Sequence, residues 1–100
     1  MTYALINKLV AMPGQRDQVV EILLESGKLF DDNPACEISV VAESVNDPDV
    51  IWVIDRWTSE EGHKKALSQP ELRPFVEKAT PLLVAMPDQT EIRLVGGKGL

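Results

Sequence analysis

Three side chains have the types and the placement to do chemistry together: Asn7, Trp57 and His63. The segment from Asp55 to Leu83, DRWTSEEGHKKALSQPELRPFVEKATPLL, sets a tryptophan at the end of a strand and the only histidine about one turn into the helix that follows. An indole and an imidazole so spaced can form one wall of a small pocket, and Asn7 is a polar residue on an otherwise apolar first strand. Other reactive types offer less. Cys36 is the only cysteine, so it closes no internal disulfide and reads as a structural thiol rather than a nucleophile. One His and one Cys fall short of the three or four N/S ligands a zinc site uses, so no metal is expected, although His63 is arithmetically available as a haem ligand.

These residues need a scaffold, and the chain is long enough for one domain with a modest core. We assign residues 1–95 to that domain and residues 96–100, GGKGL, to a flexible C-terminal tail. Sixteen acidic against ten basic residues give a net charge of −6, the wrong sign for a partner bound through its phosphates, so nucleic acid is not expected. The opening MTYALINK lacks the basic-then-apolar order of a signal peptide, and no apolar run approaches a membrane span. A cytoplasmic protein with no membrane association is the expectation.

Residues 3–11, YALINKLVA, are apolar on both alternating sets and read as a strand covered on both faces. Met12-Pro13-Gly14 stops it, and residues 15–30 place Val19, Ile22, Leu23, Ser26, Leu29 and Phe30 at helical spacing. Asp31-Asp32-Asn33-Pro34 ends that helix. Residues 36–44 and 50–57 form a hairpin across Asn46-Asp47-Pro48-Asp49. Thr58 or Ser59 then caps a short helix running to about Ser68, with Glu61 completing a capping box with Thr58. Pro70 opens a further helix that Pro74 and Pro81 shorten or kink, and residues 90–95 make the last strand.

The order is β-α-β-β-α-β with the second helix broken in two: an α+β, ferredoxin-like fold with an antiparallel sheet and its helices on one face. The sheet's other face is not polar, since one alternating set reads Ala4, Ile6, Lys8 and Val10 and the other Leu5, Asn7 and Leu9. A second copy packed sheet to sheet would cover it, at about 25 cal/mol per Å² of apolar surface buried, so a homodimer is the expected unit.

On these residues the chain resembles the antibiotic biosynthesis monooxygenase family, through the first strand with Asn7, the D-x-W-x-S-x-E-x-H segment at Asp55 to His63, and P-x-L-x-P-F with P-L-L between Pro70 and Leu83. The resemblance covers nearly the whole chain and implies a dimeric α/β barrel with a pocket between sheet and helices. It implies an Asn on the first strand and a Trp closing the third, which Asn7 and Trp57 match. The family includes cofactor-independent quinol oxygenases and haem-degrading enzymes. In the haem-degrading branch the characteristic Trp and iron-ligating His align with Ala66 and Val76, so the resemblance does not support that mechanism, and a haem-containing preparation would reopen it. Many quinol-monooxygenase-like members carry a His near the position of Ala66, which makes His63 a variant.

The expected function is a cofactor-independent monooxygenase that lets a small aromatic, quinol-type substrate reduce O₂ directly. Its protein must take a phenolic proton, stabilise the anion and exclude water. His63 is the natural general base, Asn7 and the Trp57 indole N–H are candidate donors to the oxyanion, and Leu5, Leu9, Leu72, Phe75 and Val76 are the candidate apolar lining. Each residue also has a plainer role open to it. Asn7 could bond an irregular backbone segment, Trp57 could be core, and His63, beside Glu60, Glu61 and Lys64, could be exposed. Asp55 could orient the base or pair with Arg56, Lys8 or Arg93, and Lys64-Lys65 reads as a solvated helix edge. A non-oxygenating small-molecule-binding or signal-modifying protein of the same fold is the alternative, followed by an isomerase using His63 without O₂.

Overall fold

The computed structural model describes residues 2–100; Met1, where the expected domain begins, lies outside the described residues. Four strands, β1 (Thr2–Val10), β2 (Cys36–Glu43), β3 (Val50–Trp57) and β4 (Asp88–Leu94), form one sheet in the order β2-β3-β1-β4. Every pairing is antiparallel. Three α-helices, α1 (Arg16–Gly27), α2 (Glu60–Leu67) and α3 (Arg73–Ala79), cover one face, giving the ferredoxin-like α+β arrangement expected from the sequence.

Local chemistry explains the joints. Gly14 turns the chain out of β1 at φ +79°, a conformation that costs glycine nothing. Arg16 then ties the start of α1 to the β2–β3 hairpin, donating to Ser44 O (3.2 Å) and Asp47 O (3.0 Å) and pairing with Glu43 (3.4 Å). The helix expected over residues 15–30 is α-helical only to Gly27; Lys28–Phe30 tighten into a 3₁₀ turn, which gives terminal carbonyls closer partners. Pro70 likewise opens a 3₁₀ turn, Pro70–Leu72, and α3 begins at Arg73 with Pro74 in its first turn. Strand β4 begins at Asp88, two residues earlier than expected.

The cap of α2 is Ser59, whose Oγ accepts from Gly62 N at 3.0 Å. The expected Thr58–Glu61 box does not form, because the Thr58 N–H that Glu61 would take is donated to Ala35 O at 2.8 Å. Those contacts press the first turn of α2 against the Ala35 loop, so closely that a Cβ on Gly62 would stand 2.8 Å from Ala35 Cβ. The start of the helix bearing His63 is therefore located by backbone, cap and close packing together.

Alternate residues of each strand face the helices, and they form two clusters rather than one continuous core. Leu9, Ala11, Val19 and Ile51 are buried at one end, against Leu23, Val53 and Leu83. Leu5, Trp57 and Ala66 are buried at the other, against Tyr3, Phe30 and Cys36. The other sheet face carries Ile38, Val40, Ile54 and Val10, each about two-fifths exposed.

Candidate functional site

The gap between the two clusters is the site. Its floor comes from two rungs of the sheet: Gln89, Asn7, Val53 and Val41 on one, and Asp55 and Ser39 on the next, where they pair beside Leu5 and Glu91. Leu23 and Ser26 of α1, His63 and Leu67 of α2, and Leu72 and Val76 beyond it form the roof of a cleft of about 410 Å³. Asn7, Ser39, Asp55, His63 and Gln89 give it polar atoms, Ser26, Lys28 and Asp31 add others, and the rest of the wall is apolar apart from Gly27.

His63 is only 4% exposed, so its acidic and basic helix neighbours do not bring it to the surface. It shares a buried face of α2 with Ala66, standing edge-on to the Trp57 indole at 5.1 Å between ring centroids and 5.8 Å from the Tyr3 ring. Neither imidazole nitrogen is hydrogen-bonded among the described residues. Burial pushes the imidazole pKa below 6.5, while Asp55, and after it Glu91 and Glu60, pull it back towards the protonated form. The result is a base that is neutral at neutral pH and has a carboxylate nearby to receive its charge.

Asp55 sits in the same cleft and accepts a hydrogen bond from Ser39 Oγ at 2.8 Å. Burial pushes its carboxyl above the usual 3.8, opposed by the Ser39 bond, the His63 charge and the nearby Trp57 indole. Two of the partners expected for it are engaged elsewhere. Arg56 faces the other side of the sheet and stands 3.7 Å from Glu37, and the Lys8 ammonium lies 5.8 Å from the Trp52 ring centroid. Alternation explains this: Arg56 follows Asp55 by one residue and so points the opposite way.

Asn7 is in the cleft with its amide fixed: Nδ2 donates to Val53 O at 3.3 Å and Oδ1 accepts from Gln89 Nε2 at 3.0 Å. The second Nδ2 hydrogen remains for a bound oxygen. Tyr3 donates to Glu91 at 2.8 Å, and its own hydroxyl is pushed up to about 12, by burial first and by Glu91 second.

The structure separates the remaining expected lining residues. Leu9, Leu72 and Val76 line the cleft with Asn7 and His63. Leu5 is fully buried beneath it, and Phe75 faces a neighbouring cavity instead. Trp57, 1% exposed, lies behind His63 rather than on the cleft surface, and its Nε1–H is buried without a hydrogen bond of ordinary geometry. Sequence reasoning did not reach Ser39 and Gln89. Their signal was strand register, since Ser39 pairs with Asp55 and Gln89 with Asn7. Among the described residues no group of three or more His, Cys, Asp or Glu is arranged to hold a metal ion, and Val76, aligned with the iron ligand of haem-degrading relatives, carries no donor atom.

Comparison with known proteins follows the same lines. The family model described as antibiotic biosynthesis monooxygenase matches residues 2–78. A Chloroflexus aurantiacus J-10-fl structure named for the antibiotic biosynthesis monooxygenases is 39% identical over 99% of this chain and 98% of its own, with a TM-score of 0.84. SnoaB from Streptomyces nogalater, described as a cofactor-independent oxygenase, shares the fold at 13% identity and a TM-score of 0.86, covering 99% of this chain and 98% of its own. A Caulobacter crescentus CB15 structure, also named for this family, shares it at 14% identity and a TM-score of 0.87, over 95% and 91% of the two chains. No curated protein gives a significant match.

Proposed function

The chain belongs to the antibiotic biosynthesis monooxygenase family, and from that premise we propose that it is a cofactor-independent monooxygenase, acting as a homodimer on a small aromatic, quinol-type substrate bound between sheet and helices. The observation that carries the reading is the convergence of His63, Asp55 and Asn7 on one largely apolar cleft.

A hydroquinone binds with one hydroxyl at His63, which takes its proton. The imidazolium so formed is stabilised by the Asp55 carboxylate, which Ser39 holds in place. Asn7 donates its remaining N–H to the phenolate oxygen, and it does so from a fixed position, so little reorganisation accompanies the charge. The phenolate, now electron-rich, transfers an electron to O₂, the radical pair joins through the ring carbon beside the phenolate to a peroxide anion, and the His63 imidazolium returns its proton to give the hydroperoxide. Loss of water then leaves a hydroxyquinone, so that one hydroquinone and one O₂ give one hydroxyquinone and one H₂O. Leu9, Leu72 and Val76 give the substrate ring an apolar wall against which it displaces water. Trp57 acts as the support that sets the His63 ring, not as a donor to substrate.

Oxygen consumption tests the proposal. Protein freed of flavin and metal is expected to consume O₂ with hydroquinones in a 1:1 ratio, and His63→Gln to lose about 10²- to 10⁴-fold in rate, the usual share of a general base. Hydroquinone binding without O₂ uptake would favour the non-oxygenating reading, and proton exchange into substrate without uptake would favour the isomerase.

A further inference from the structure

Beside the cleft lies a second cavity, of about 430 Å³, between α1, α3 and the segment Leu83 to Pro87. The two share Leu9, Leu23, Ser26, Leu72, Val76 and Pro87 as walls, so the spaces adjoin across the middle of the helix layer. Their chemistry differs. Ile22, Phe75, Ala79 and Met86 line the second cavity, and among the described residues no charged side chain lines it. Its two hydroxyls are spent within their own helices and turns, Ser26 Oγ donating to Leu23 O at 3.0 Å and Thr80 Oγ1 to Val76 O at 2.7 Å. A polar ligand group would find no charged side chain and no unspent side-chain hydroxyl among the described residues there, whereas hydrocarbon would displace only water.

The mouth is apolar too. Leu24 and Leu67 beside the cleft are 55% and 48% exposed, Met86 beside the second cavity is 81% exposed, and Val76, common to both, is 60% exposed. Large apolar residues gathered at the rim of a cavity mark a surface built to meet an apolar ligand.

We infer that the substrate is bipartite, a phenolic head held beside His63, Asp55 and Asn7 and an apolar appendage seated in the cavity between α1 and α3. This deepens the oxygenase reading and rests on it: that reading places the head, and the second cavity specifies what is attached. The polar end orients the ring, and the appendage supplies affinity that a bare hydroquinone lacks.

A series of 2-alkylhydroquinones from methyl to octyl, titrated calorimetrically without O₂, tests the inference. Affinity is expected to rise about two- to fourfold per methylene until the cavity is full. Ala79→Phe, which fills the second cavity, is expected to flatten that dependence, and the milder Ala79→Leu to shorten it; circular dichroism checks that both fold. A flat series in the unaltered protein overturns the inference, as does a series unchanged in a folded Ala79→Phe variant. O₂ uptake recorded in parallel separates the two readings. Uptake with a flat series overturns the bipartite substrate alone, and a graded series without uptake overturns the oxygenase assignment alone.

Discussion

The His63 imidazole meets the Trp57 indole edge-on, centroids 5.1 Å apart and planes at 63°. The cleft's histidine thus rests on the largest fully buried side chain of the protein. Phe30 meets the same indole from another direction at 5.5 Å, so Trp57 is held by packing and holds His63 in turn. One arrangement packs the ring against Trp57 and strips water from it, and the loss of water disfavours its protonated form.

His63 is expected to titrate below 6.5, and because it is the only histidine its ring protons report this cleanly by NMR. Asp55→Asn should lower the midpoint further, since Asp55 is the strongest of the influences favouring the imidazolium. The stability consequence follows in sign. The folded-state pKa lies below the unfolded value of about 6.5, so the unfolded chain takes the proton first. The contribution of neutral His63 is complete above that pH and is lost as pH falls from there through the folded value. Urea midpoints should therefore drop between neutral and mildly acidic pH, and drop less in His63→Gln. A midpoint at or above 6.5 would contradict the burial argument.

Much of this was legible in the sequence, for identifiable reasons. The strands and α1 were readable because their apolar spacing repeats, and the shortened α3 because Pro74 and Pro81 break a helix by covalent geometry. At the site, rare types drew the eye to the single histidine and the isolated Asn7, and apolar spacing to Leu9, Leu72 and Val76, whereas the strand-end Trp57 lies behind the cleft surface. Ser39 and Gln89 are common residues that matter through register with Asp55 and Asn7, and register is a property of strand pairs. The burial of His63 was hidden because Glu60, Glu61 and Lys64 make its surroundings polar in sequence while α2 turns them outward.

Asn7 gives the second prediction. Its amide is oriented by Val53 O and Gln89, so Asn7→Leu should remove a fixed donor and lower kcat by about 10²- to 10³-fold, the range for loss of one oxyanion donor, with a smaller change in KM. Gln89→Leu leaves Asn7 in place but frees its carbonyl, so its loss in kcat should be smaller. Unchanged kcat in both would mean that Asn7 serves only the sheet.

Gly62 supplies a test of the scaffold. An added Cβ meets Ala35 Cβ at 2.8 Å, inside any real contact between such atoms, and both are fixed to backbone that the Thr58–Ala35 bond holds together. Gly62→Ala should cost about 1–3 kcal/mol by overpacking, or a Tm lower by roughly 4–8 °C per kcal/mol for a chain of this size. Ala's better helix propensity, worth about 1 kcal/mol, opposes this and is the smaller effect. An equal or higher Tm would show that the Ala35 loop yields without cost.

The uncovered sheet face sets the last prediction. Val40, Ile54 and Ile6 lie across one rung of that face, with Val40 and Ile54 46% and 41% exposed. A neighbouring rung adds Trp52 and Ala42. Three apolar side chains abreast on a strand-ordered surface are costly to leave in water, and a second copy laid sheet to sheet covers them without leaving backbone groups unpaired. Sedimentation equilibrium is expected to give twice the chain mass. Ile54→Glu together with Val40→Glu places like charges side by side in each protomer and faces them with two more from the partner, so the doubly substituted protein should sediment as a monomer and melt lower than the dimer. A monomeric unaltered chain with a high Tm would mean that the helix side alone sustains the fold, and the sheet face would then need a different explanation.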